Sequence, residues 1–449
     1  MKNIKHVGFV FLILLNLIAC TQNTSKTDYF ASNAFGNPVT GNVGEYYNGV
    51  TYVSYQGPLE DAYVAAYHHQ TKKWVGPFKA GTSLMGKDPS RKIDNHGKPT
   101  LVVDKNGYIH MVFGGHGGTK ALGKNPLGNY HYGKQKHVVS KKPYDISSWQ
   151  EVDNISPFGT YSRFIKMDNG DLYLFYRHGA HTSNWVYQKS VDNGLTFTQP
   201  ISIIKTKKSK LSSESQNIQD SWYLHFSKGK NNDIIVAYNY HVCKGPKHDG
   251  ERHHVYYMKF DTNKNEWYNV KNEKLMLPVT KEQADIMTLV KNTGERWTHN
   301  GIARLDKNGN PHVTSYEGDY EGKIHGGVKT LQHYYWTGQD WKSNQNNDLP
   351  EGARGEMLIN TNNQIKLLLG DTTNNGDVAW WISNDNGNSF TKETILLKSK
   401  KGKFLLSNFI RNAHPDAQIL VAEKKGNEDI KMCLLGENGP IYRSKKDAK

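Results

Sequence analysis

A turn followed by a short apolar strand recurs along this chain and constrains its fold more than any other feature. Each turn carries Asn-Gly, Asn-Asn or a similar pair that tolerates positive φ, and each following run is β-branched or aromatic. The seven units lie at 47–55, 104–113, 168–176, 231–238, 306–314, 362–369 and 415–422. Spacings of roughly 50 to 75 residues suit blades of four strands. The pattern predicts an all-β protein, a single seven-bladed β-propeller.

Two further segments fit the aspartate-box pattern Ser-x-Asp-x-Gly-x-x-Phe of neuraminidase-like propellers. They are Ser190–Phe197 and Ser383–Phe390. Such boxes occupy the turn between the outer strands of a blade, so they report architecture and not chemistry. The long insertion between Val270 and Trp297 is expected to be the most irregular part of the fold.

The N-terminus has the features of a bacterial export signal. Lys2 and Lys5 precede an apolar stretch, 7–18, that is too short to span a bilayer, and Leu17-Ile18-Ala19-Cys20 resembles a lipobox. We therefore expect a lipoprotein signal peptide at 1–19, a polar tether at 20–29 and the propeller at 30–449. The mature protein is expected to be a monomer, lipid-anchored at the cell surface or outer membrane, with plain secretion as the alternative.

Net charge indicates a polyanionic partner. The chain has 57 Lys and Arg against 42 Asp and Glu, a formal charge of +15. Nucleic acid, an anionic membrane and an acidic polysaccharide all fit this charge, although export and scattered lysines argue against nucleic acid. Arg177 is the most informative basic residue, because a guanidinium that ends the apolar run 172–176 is costly unless it meets an anion.

Hairpin register predicts where a site could lie. Around the turn at 105–106, residues whose numbers sum to about 211 face each other, which places His96 opposite His116. Around the turn at 169–170 the sum is about 339, which places Tyr161 close to Arg177. Because the inner strands of adjacent blades run side by side, all four side chains are expected to meet at one end of the central channel.

This combination suits removal of a proton from the carbon next to a carboxylate. In a uronic acid that carbon is C5, and loss of its proton lets the C4 oxygen leave by β-elimination. Arg177, with help from His96, is expected to neutralise the carboxylate. His116 and Tyr161 are expected to share the roles of base and acid, in an order that the sequence leaves open.

The motifs around these residues resemble those of propeller ulvan lyases, especially polysaccharide lyase family 25 and its relative family 24. The motifs are Asp94-Asn95-His96-Gly97-Lys98-Pro99, Phe113-Gly114-Gly115-His116-Gly117, Tyr161 and Phe175-Tyr176-Arg177-His178-Gly179. The resemblance implies a lyase whose catalytic residues are His96, His116, Tyr161 and Arg177. It implies ulvan as substrate, a sulfated rhamnose and uronic acid polymer, and no organic cofactor. Further substrate contacts are expected from Asn95, Trp222, Tyr223 and His178.

A second set of residues has the composition of a zinc site. His241 and Cys243 lie on one face of a predicted strand, and the chain returns through His248 to His253 and His254. We expect one structural Zn²⁺ held by His241, Cys243 and His253, with His248 or His254 as the fourth ligand. The resemblance supports a structural metal.

Two other functions fit parts of the sequence. A sialidase-like glycoside hydrolase would share the aspartate boxes, but it would need three arginines around one carboxylate and a Tyr-Glu pair. A non-catalytic surface glycan-binding lipoprotein would use aromatics such as Trp222 and Tyr223 to stack sugars. The sequence does not distinguish glucuronate from iduronate preference, or endolytic from exolytic cleavage.

Overall fold

The structure, a computed structural model, consists mainly of β-strands, which confirms the all-β prediction. It describes residues 26–35, 43–85, 94–206, 208–210, 217–244, 250–323, 325–344, 349–371, 376–398, 402–425 and 429–448. The predicted signal peptide and most of the predicted tether lie outside these residues. In the described part of the chain, no helix is both long and apolar enough to cross a membrane.

The strands are short and follow one another with few interruptions. The first ten are β1 (Lys26–Thr27), β2 (Ala31–Ala34), β3 (Gly44–Tyr47), β4 (Val50–Gln56), β5 (Ala62–His68), β6 (Lys73–Gly81), β7 (Thr100–Val103), β8 (Ile109–His116), β9 (Tyr132–Ser140) and β10 (Trp149–Val152). The next ten are β11 (Thr160–Lys166), β12 (Leu172–Arg177), β13 (Trp185–Ser190), β14 (Ile201–Ile204), β15 (Lys208–Lys210), β16 (Asn217–Lys228), β17 (Asp233–Lys244), β18 (Arg252–Asp261), β19 (Glu266–Tyr268) and β20 (Leu289–Lys291).

The remaining strands complete the chain. They are β21 (Trp297–Leu305), β22 (Pro311–Gly318), β23 (Thr330–Trp336), β24 (Trp341–Asn344), β25 (Arg354–Ile359), β26 (Ile365–Gly370), β27 (Asp377–Ser383), β28 (Thr391–Lys398), β29 (Lys403–His414), β30 (Ala417–Lys425), β31 (Asp429–Gly436), β32 (Gly439–Pro440) and β33 (Arg443–Ser444). Short helical segments in the described residues include 3₁₀ turns at Pro58–Glu60 and Lys120–Leu122, helix α1 at Lys281–Gln283 and a π turn at Ala284–Thr288.

These strands form antiparallel sheets in chain order. Four sheets have four strands each: β7–β10, β11–β14, β21–β24 and β25–β28. A fifth contains β15–β19 with β20 attached, and β1 pairs with β33. The largest has the order β2-β31-β30-β29-β3-β4-β5-β6, in which the chain's two ends meet through one parallel pairing of Arg411 with Glu45.

The first strands of these sheets lie next to one another. Contacts run from β3 to β7, β7 to β11, β11 to β16, β16 to β21, β21 to β25 and β25 to β29. Glu45 is fully buried among them and accepts hydrogen bonds from the Val103 backbone N–H, at 2.9 Å, and from the Lys166 ammonium group. Since a buried carboxylate is stable only with such partners, Glu45 ties three neighbouring sheets together at their inner strands.

Aromatic side chains fill the space between sheets. The Phe175 and Phe226 rings, from adjacent sheets, stack with centroids 4.1 Å apart. Trp185 lies fully buried in the same cluster. Rings of this size account for much of the buried apolar area in such a core.

The aspartate boxes and the irregular insertion are where the sequence predicts them. Ser190 Oγ accepts from the Gly194 N–H at 2.8 Å, and Asp192 Oδ1 accepts from the Thr196 N–H at 3.0 Å, in the turn between β13 and β14. Ser383 and Asp385 form the same bonds between β27 and β28. Helix α1 and the π turn both fall within the predicted insertion.

Candidate active site

The structure brings the four predicted catalytic residues together at one end of two adjacent sheets. His96 precedes β7 and His116 ends β8, and their imidazole rings stack in parallel with centroids 3.9 Å apart. Tyr161 lies near the start of β11, with its ring centroid 5.0 Å from that of His96. Arg177 ends β12 and places its Cζ atom 5.1 Å from the centre of the Tyr161 ring.

A β-bulge sets the orientation of Tyr161. The register between β11 and β12 shifts between Thr160 and Arg163, so Thr160 and not Tyr161 pairs directly with Arg177. Tyr161 adopts a left-handed φ of 60°, and its N–H donates to the His96 carbonyl at 3.1 Å. Bulges and positive φ at a tyrosine are uncommon and often re-aim a functional side chain. Here the bulge links the phenol to the neighbouring sheet that carries the imidazoles.

Asp94 is the central residue that sequence reasoning missed. Its carboxylate receives His96 Nδ1 at 2.5 Å and His116 Nδ1 at 2.6 Å, and it also accepts from the Tyr132 hydroxyl. Burial alone would raise the pKa of Asp94, but the hydrogen bonds from His116 and His96 hold it far below its usual range. A carboxylate bound to Nδ1 fixes each imidazole as the tautomer whose Nε2 lone pair is available.

Both imidazoles favour the neutral form. Burial lowers the pKa of His116 to about 4, and the charges of His96 and Arg177 add to that effect against the opposing Asp94. Burial also lowers the pKa of His96, with Arg177 contributing. Near neutral pH each ring is therefore a base that can accept a proton.

Arg177 has the environment expected of a carboxylate-binding residue. It is 1% exposed and forms no ion pair with the described residues; Nη1 donates to Ser221 Oγ at a long 3.4 Å. Its Nε is buried and has no hydrogen-bond partner there. Because an unpaired buried guanidinium is costly, this arrangement suits an incoming anion.

Tyr223 joins the site, as the sequence predicts, and brings a second arginine with it. Its ring centroid lies 5.8 Å from that of Tyr161, and the Arg252 Cζ atom lies 3.8 Å from its centre. Burial raises the pKa of Tyr161, whereas for Tyr223 the charges of Arg252 and Arg177 outweigh burial and lower it. Tyr161 therefore stays protonated near neutral pH.

Positive charge continues from Arg252 along the same end of the fold. Arg252 is 6% exposed, and its Nε and Nη1 have no hydrogen-bond partner among the described residues. Burial, together with the charges of Arg354 and Arg252, lowers the pKa of Lys329 to about 8. Burial and the charges of Arg252, Arg354 and Lys329 hold the pKa of His299 well below its ordinary value. We call Arg252, His299, Lys329 and Arg354 the basic extension.

Two of the predicted substrate contacts are wrong. Trp222 is fully buried, packs against Tyr238 and Tyr240, and donates Nε1–H to the Lys205 carbonyl at 3.0 Å. Successive strand residues face opposite sides, so the neighbour of Tyr223 points into the core. His178 is also buried, and both ring nitrogens are used, by Asn125 at 2.8 Å and Ser156 at 2.9 Å. Asn95 is exposed beside His96 and remains available as a contact.

The structure separates the predicted zinc ligands. His241 is fully buried and pairs with Arg252, whereas His253 pairs with Tyr240 and so lies on the opposite face, where Nε2 bonds to Glu251 at 2.8 Å. The Nδ1 atom of His254 accepts from the Thr293 N–H at 3.3 Å.

The other residues to consider as zinc ligands are the predicted His248 and Cys243, and one histidine that was not predicted. His248 and the Cys243 side chain lie outside the described residues. His181, which no motif in the sequence singles out, lies edge-on to His241 with ring centroids 4.6 Å apart. Two imidazoles at this spacing fit a zinc site better than the predicted pairing of His241 with His253.

Comparisons with known proteins agree with this geometry. Residues 126–349 match a family described as BNR repeat-containing family member. An ulvan lyase of Nonlabens ulvanivorans is 52% identical over 442 residues, 95% of this chain and 93% of that protein. An ulvan lyase of Alteromonas sp. (strain LOR) is 49% identical over 437 residues, 94% of this chain and 89% of that protein.

A solved structure extends the likeness to three dimensions. It is described as a polysaccharide lyase PL25 ulvan lyase bound to -[GlcA(1-4)Rha3S]-. It has 47% identity and a TM-score of 0.88, and the match covers 94% of this chain and 99% of that one. With about half of its residues shared over nearly its whole length, this chain belongs to the PL25 ulvan lyase family.

Proposed function

We propose that this protein cleaves ulvan by β-elimination at its uronic acid residues. One observation carries the proposal: four side chains meet around one space. They are the two neutral imidazoles bound to the Asp94 carboxylate, the protonated Tyr161 phenol, and Arg177, which has no ion-pair partner among the described residues. The relatives named as ulvan lyases support the same substrate.

Arg177 binds the uronate carboxylate. Its charge delocalises the electrons that develop when the C5 proton leaves, which makes that proton more acidic. The carboxylate in turn supplies the anion that the buried guanidinium lacks. His96 is the more exposed imidazole of the pair. Because its Nδ1–H donates to Asp94, its Nε2 faces the substrate as an acceptor for a sugar hydroxyl, and Arg177 neutralises the carboxylate.

His116 is the base. Its Nδ1–H donates to Asp94, so Nε2 takes the C5 proton and the resulting imidazolium is stabilised by the carboxylate. The electrons of the C5–H bond form the C4=C5 double bond, and the C4–O bond breaks. Asp94 is a positioning residue in this step, since it acts through the imidazoles.

Tyr161 is the acid. Its raised pKa keeps the phenol protonated, and its hydroxyl proton passes to the departing oxygen. The proton taken by His116 and the one lost by Tyr161 return through solvent after the unsaturated product leaves. The environments of the two side chains support this order of base and acid, which the sequence left open.

The basic extension binds the sulfate next to the reacting uronate. Arg252 contacts Tyr223, which contacts Tyr161, so its guanidinium lies one side chain away from the proposed acid. A sulfate ester on the adjoining rhamnose would pair with the unpartnered nitrogens of Arg252. This explains why basic residues are concentrated here as well as at Arg177.

A sialidase-like hydrolase is not favoured. Within the described residues, no carboxylate hydrogen-bonds to the hydroxyl of Tyr161 or Tyr223, so neither forms the Tyr-Glu pair such an enzyme needs. A non-catalytic glycan-binding role is tested by the same experiment as the lyase.

The direct test is incubation of the protein with ulvan and measurement of ultraviolet absorbance from the C4=C5 double bond. We expect absorbance to rise with wild type and not with His116→Ala. If both proteins bind ulvan equally and neither yields unsaturated products, the binding role replaces the lyase.

We also propose that the sheets form a seven-bladed propeller. The nine-stranded sheet divides at its parallel β29–β3 pairing into β3–β6 and a unit of β2 with β29–β32. With the other five sheets of four or more strands, and leaving aside the two-stranded β1–β33 pair, this gives seven. The order of contacts between first strands supports this ring. A crystal structure that shows the chain's two ends in separate sheets would contradict it.

For the metal we retain one structural Zn²⁺ on His241, with Cys243 and His181 as the other protein ligands to test. A buried imidazole with a second imidazole beside it suits zinc, which would stabilise β17 without taking part in the reaction. Elemental analysis of wild type and Cys243→Ser tests it, and wild type without zinc would refute it.

The anchor rests on the sequence alone. We propose that a lipidated Cys20 holds a monomeric enzyme at the bacterial surface. Membrane fractionation of wild type and Cys20→Ala tests this, with release of the variant as the expected result.

A further inference from the structure

A cluster of side chains that could bind a metal ion, separate from His241, lies at the opposite end of the sheets from the active site. His69 directly follows β5, His414 ends β29, and Asp416 lies in the turn to β30. One ligand atom from each residue lies within 4.8 Å of the other two. The cluster sits by the hairpin turns, whereas His116 and Arg177 are at the far ends of their hairpins.

His69 is held in an orientation that suits a metal ligand. Its Nε2 lies 2.8 Å from the Thr51 hydroxyl oxygen, and its backbone N–H donates to the Gly49 carbonyl at 3.0 Å. Its Nδ1 is buried and has no hydrogen-bond partner in the described part of the chain. With Nε2–H donating to Thr51, the Nδ1 lone pair faces the cluster, as in metal sites where the second ring nitrogen is fixed by a partner.

His414 and Asp416 face the same space. The His414 ring centroid is 4.0 Å from that of His69, at an interplanar angle of 39°. Its Nδ1 accepts a long 3.2 Å hydrogen bond from the Asp416 N–H and lies 3.8 Å from Asp416 Oδ2. A bound ion would replace that hydrogen bond, and the exposed Asp416 side chain is free to move closer.

The donor set selects the class of ion. Two imidazole nitrogens and one carboxylate oxygen suit Zn²⁺ and neighbouring divalent transition metals, with water at the remaining positions, and suit Mg²⁺ or Ca²⁺ poorly. Bond lengths of about 2.0–2.2 Å require the three ligand atoms to approach one another by roughly 1 Å, within reach of side-chain rotation.

An ion at this location would join two parts of the sheet that are far apart in the sequence. His69 follows β5, in the chain's first hairpins, and His414 lies in the β29–β30 hairpin near its other end. The β29–β3 pairing between them consists of one residue pair. We propose that His69, His414 and Asp416 bind a divalent transition-metal ion of the zinc class, which links the β29–β30 hairpin to the N-terminal strands β3–β6 of the same sheet.

Metal titration of the full mature chain, prepared without a histidine tag, tests the proposal. The probes are ZnCl₂ and NiCl₂, and the readouts are calorimetric stoichiometry and the Tm. All measurements use a Cys243→Ser background as well as wild type, so that the separately proposed zinc site does not contribute. At a metal concentration about 100 times Kd we expect the Tm to rise by about 3 °C.

The variants are chosen to separate this cluster from other histidines. We expect His414→Ala and Asp416→Asn to lose one equivalent of metal and the Tm rise, while metal-free Tm and ulvan cleavage stay near wild type. His68→Ala, which changes the adjacent histidine, should behave as the parent. A Tm rise and a full equivalent of bound metal that persist in both variants would overturn the proposal.

Discussion

Asp94→Asn tests whether one carboxylate organises the base. Asp94 is buried and bonds both imidazoles, so the change should act on turnover and not on substrate affinity. A hydrogen bond to a charged partner contributes roughly 1.5–3 kcal/mol, and the Asp94–His116 bond becomes an ion pair only when His116 takes the proton. The asparagine amide also donates to one Nδ1, which favours the wrong tautomer. Together these effects remove about 4 kcal/mol, or a factor of about 10³ in kcat.

The assay is initial-rate kinetics on ulvan followed by double-bond absorbance, with circular dichroism to confirm folding. Asp104→Asn is the matched control, because Asp104 is another buried carboxylate of the same hairpin that caps the turn near His110. Since Asp94 raises the pKa of His116, the acid limb of kcat/KM should also move to lower pH in Asp94→Asn. A folded Asp94→Asn protein with kcat within tenfold of wild type would refute the reasoning.

Three further predictions follow from the site and the core. Tyr161→Phe should turn over ulvan about 10²–10³-fold more slowly than wild type. It should still exchange the C5 proton of the uronate in D₂O and release fluoride from a 4-fluoro uronoside. Loss of both of these activities would make Tyr161 the base. Arg252→Gln should raise KM about tenfold for ulvan and not for desulfated ulvan, and equal changes on both polymers would contradict the sulfate contact. Burial lowers the pKa of His137 and of His333 to about 3. Below pH 6.5 these two histidines are therefore protonated in the unfolded chain but not in the folded protein. The free energy of unfolding should fall as the pH falls toward 3. The free energy of unfolding measured in urea should be about 2 kcal/mol lower per histidine at pH 5 than at pH 7. The difference should be smaller in the double variant His137→Gln/His333→Gln, and an unchanged pH dependence in that variant would contradict the prediction.

The sequence predicted what local turns determine. Hairpin register placed His96 opposite His116 because the β7–β8 ladder keeps one register, with Thr100 opposite Val112. Beyond the ladder the Gly97 carbonyl still accepts from the Gly114 N–H, so the two segments stay side by side as far as the histidines. It missed the bulge at Tyr161, since a single extra residue in a strand leaves no clear sign in the sequence.

Longer-range contacts were beyond the sequence. The partners of Asp94 lie 22 and 38 residues away, so its role depends on how the β8–β9 loop folds back. The error at Trp222 was avoidable: alternation along a strand means that Trp222 and Tyr223 cannot both face one ligand. His253 fails for the same reason, because its strand partner is Tyr240 and not His241.

The joining of both chain ends in one sheet has a consequence for how the protein matures. Residues 31–34 supply the outermost strand of the sheet that also contains residues 403–436. A nascent chain therefore carries an unmatched first strand until the strands at 403–436 have been synthesised. Truncation at either terminus should leave a frayed product open to proteolysis instead of a smaller working enzyme, so only full-length chains should persist.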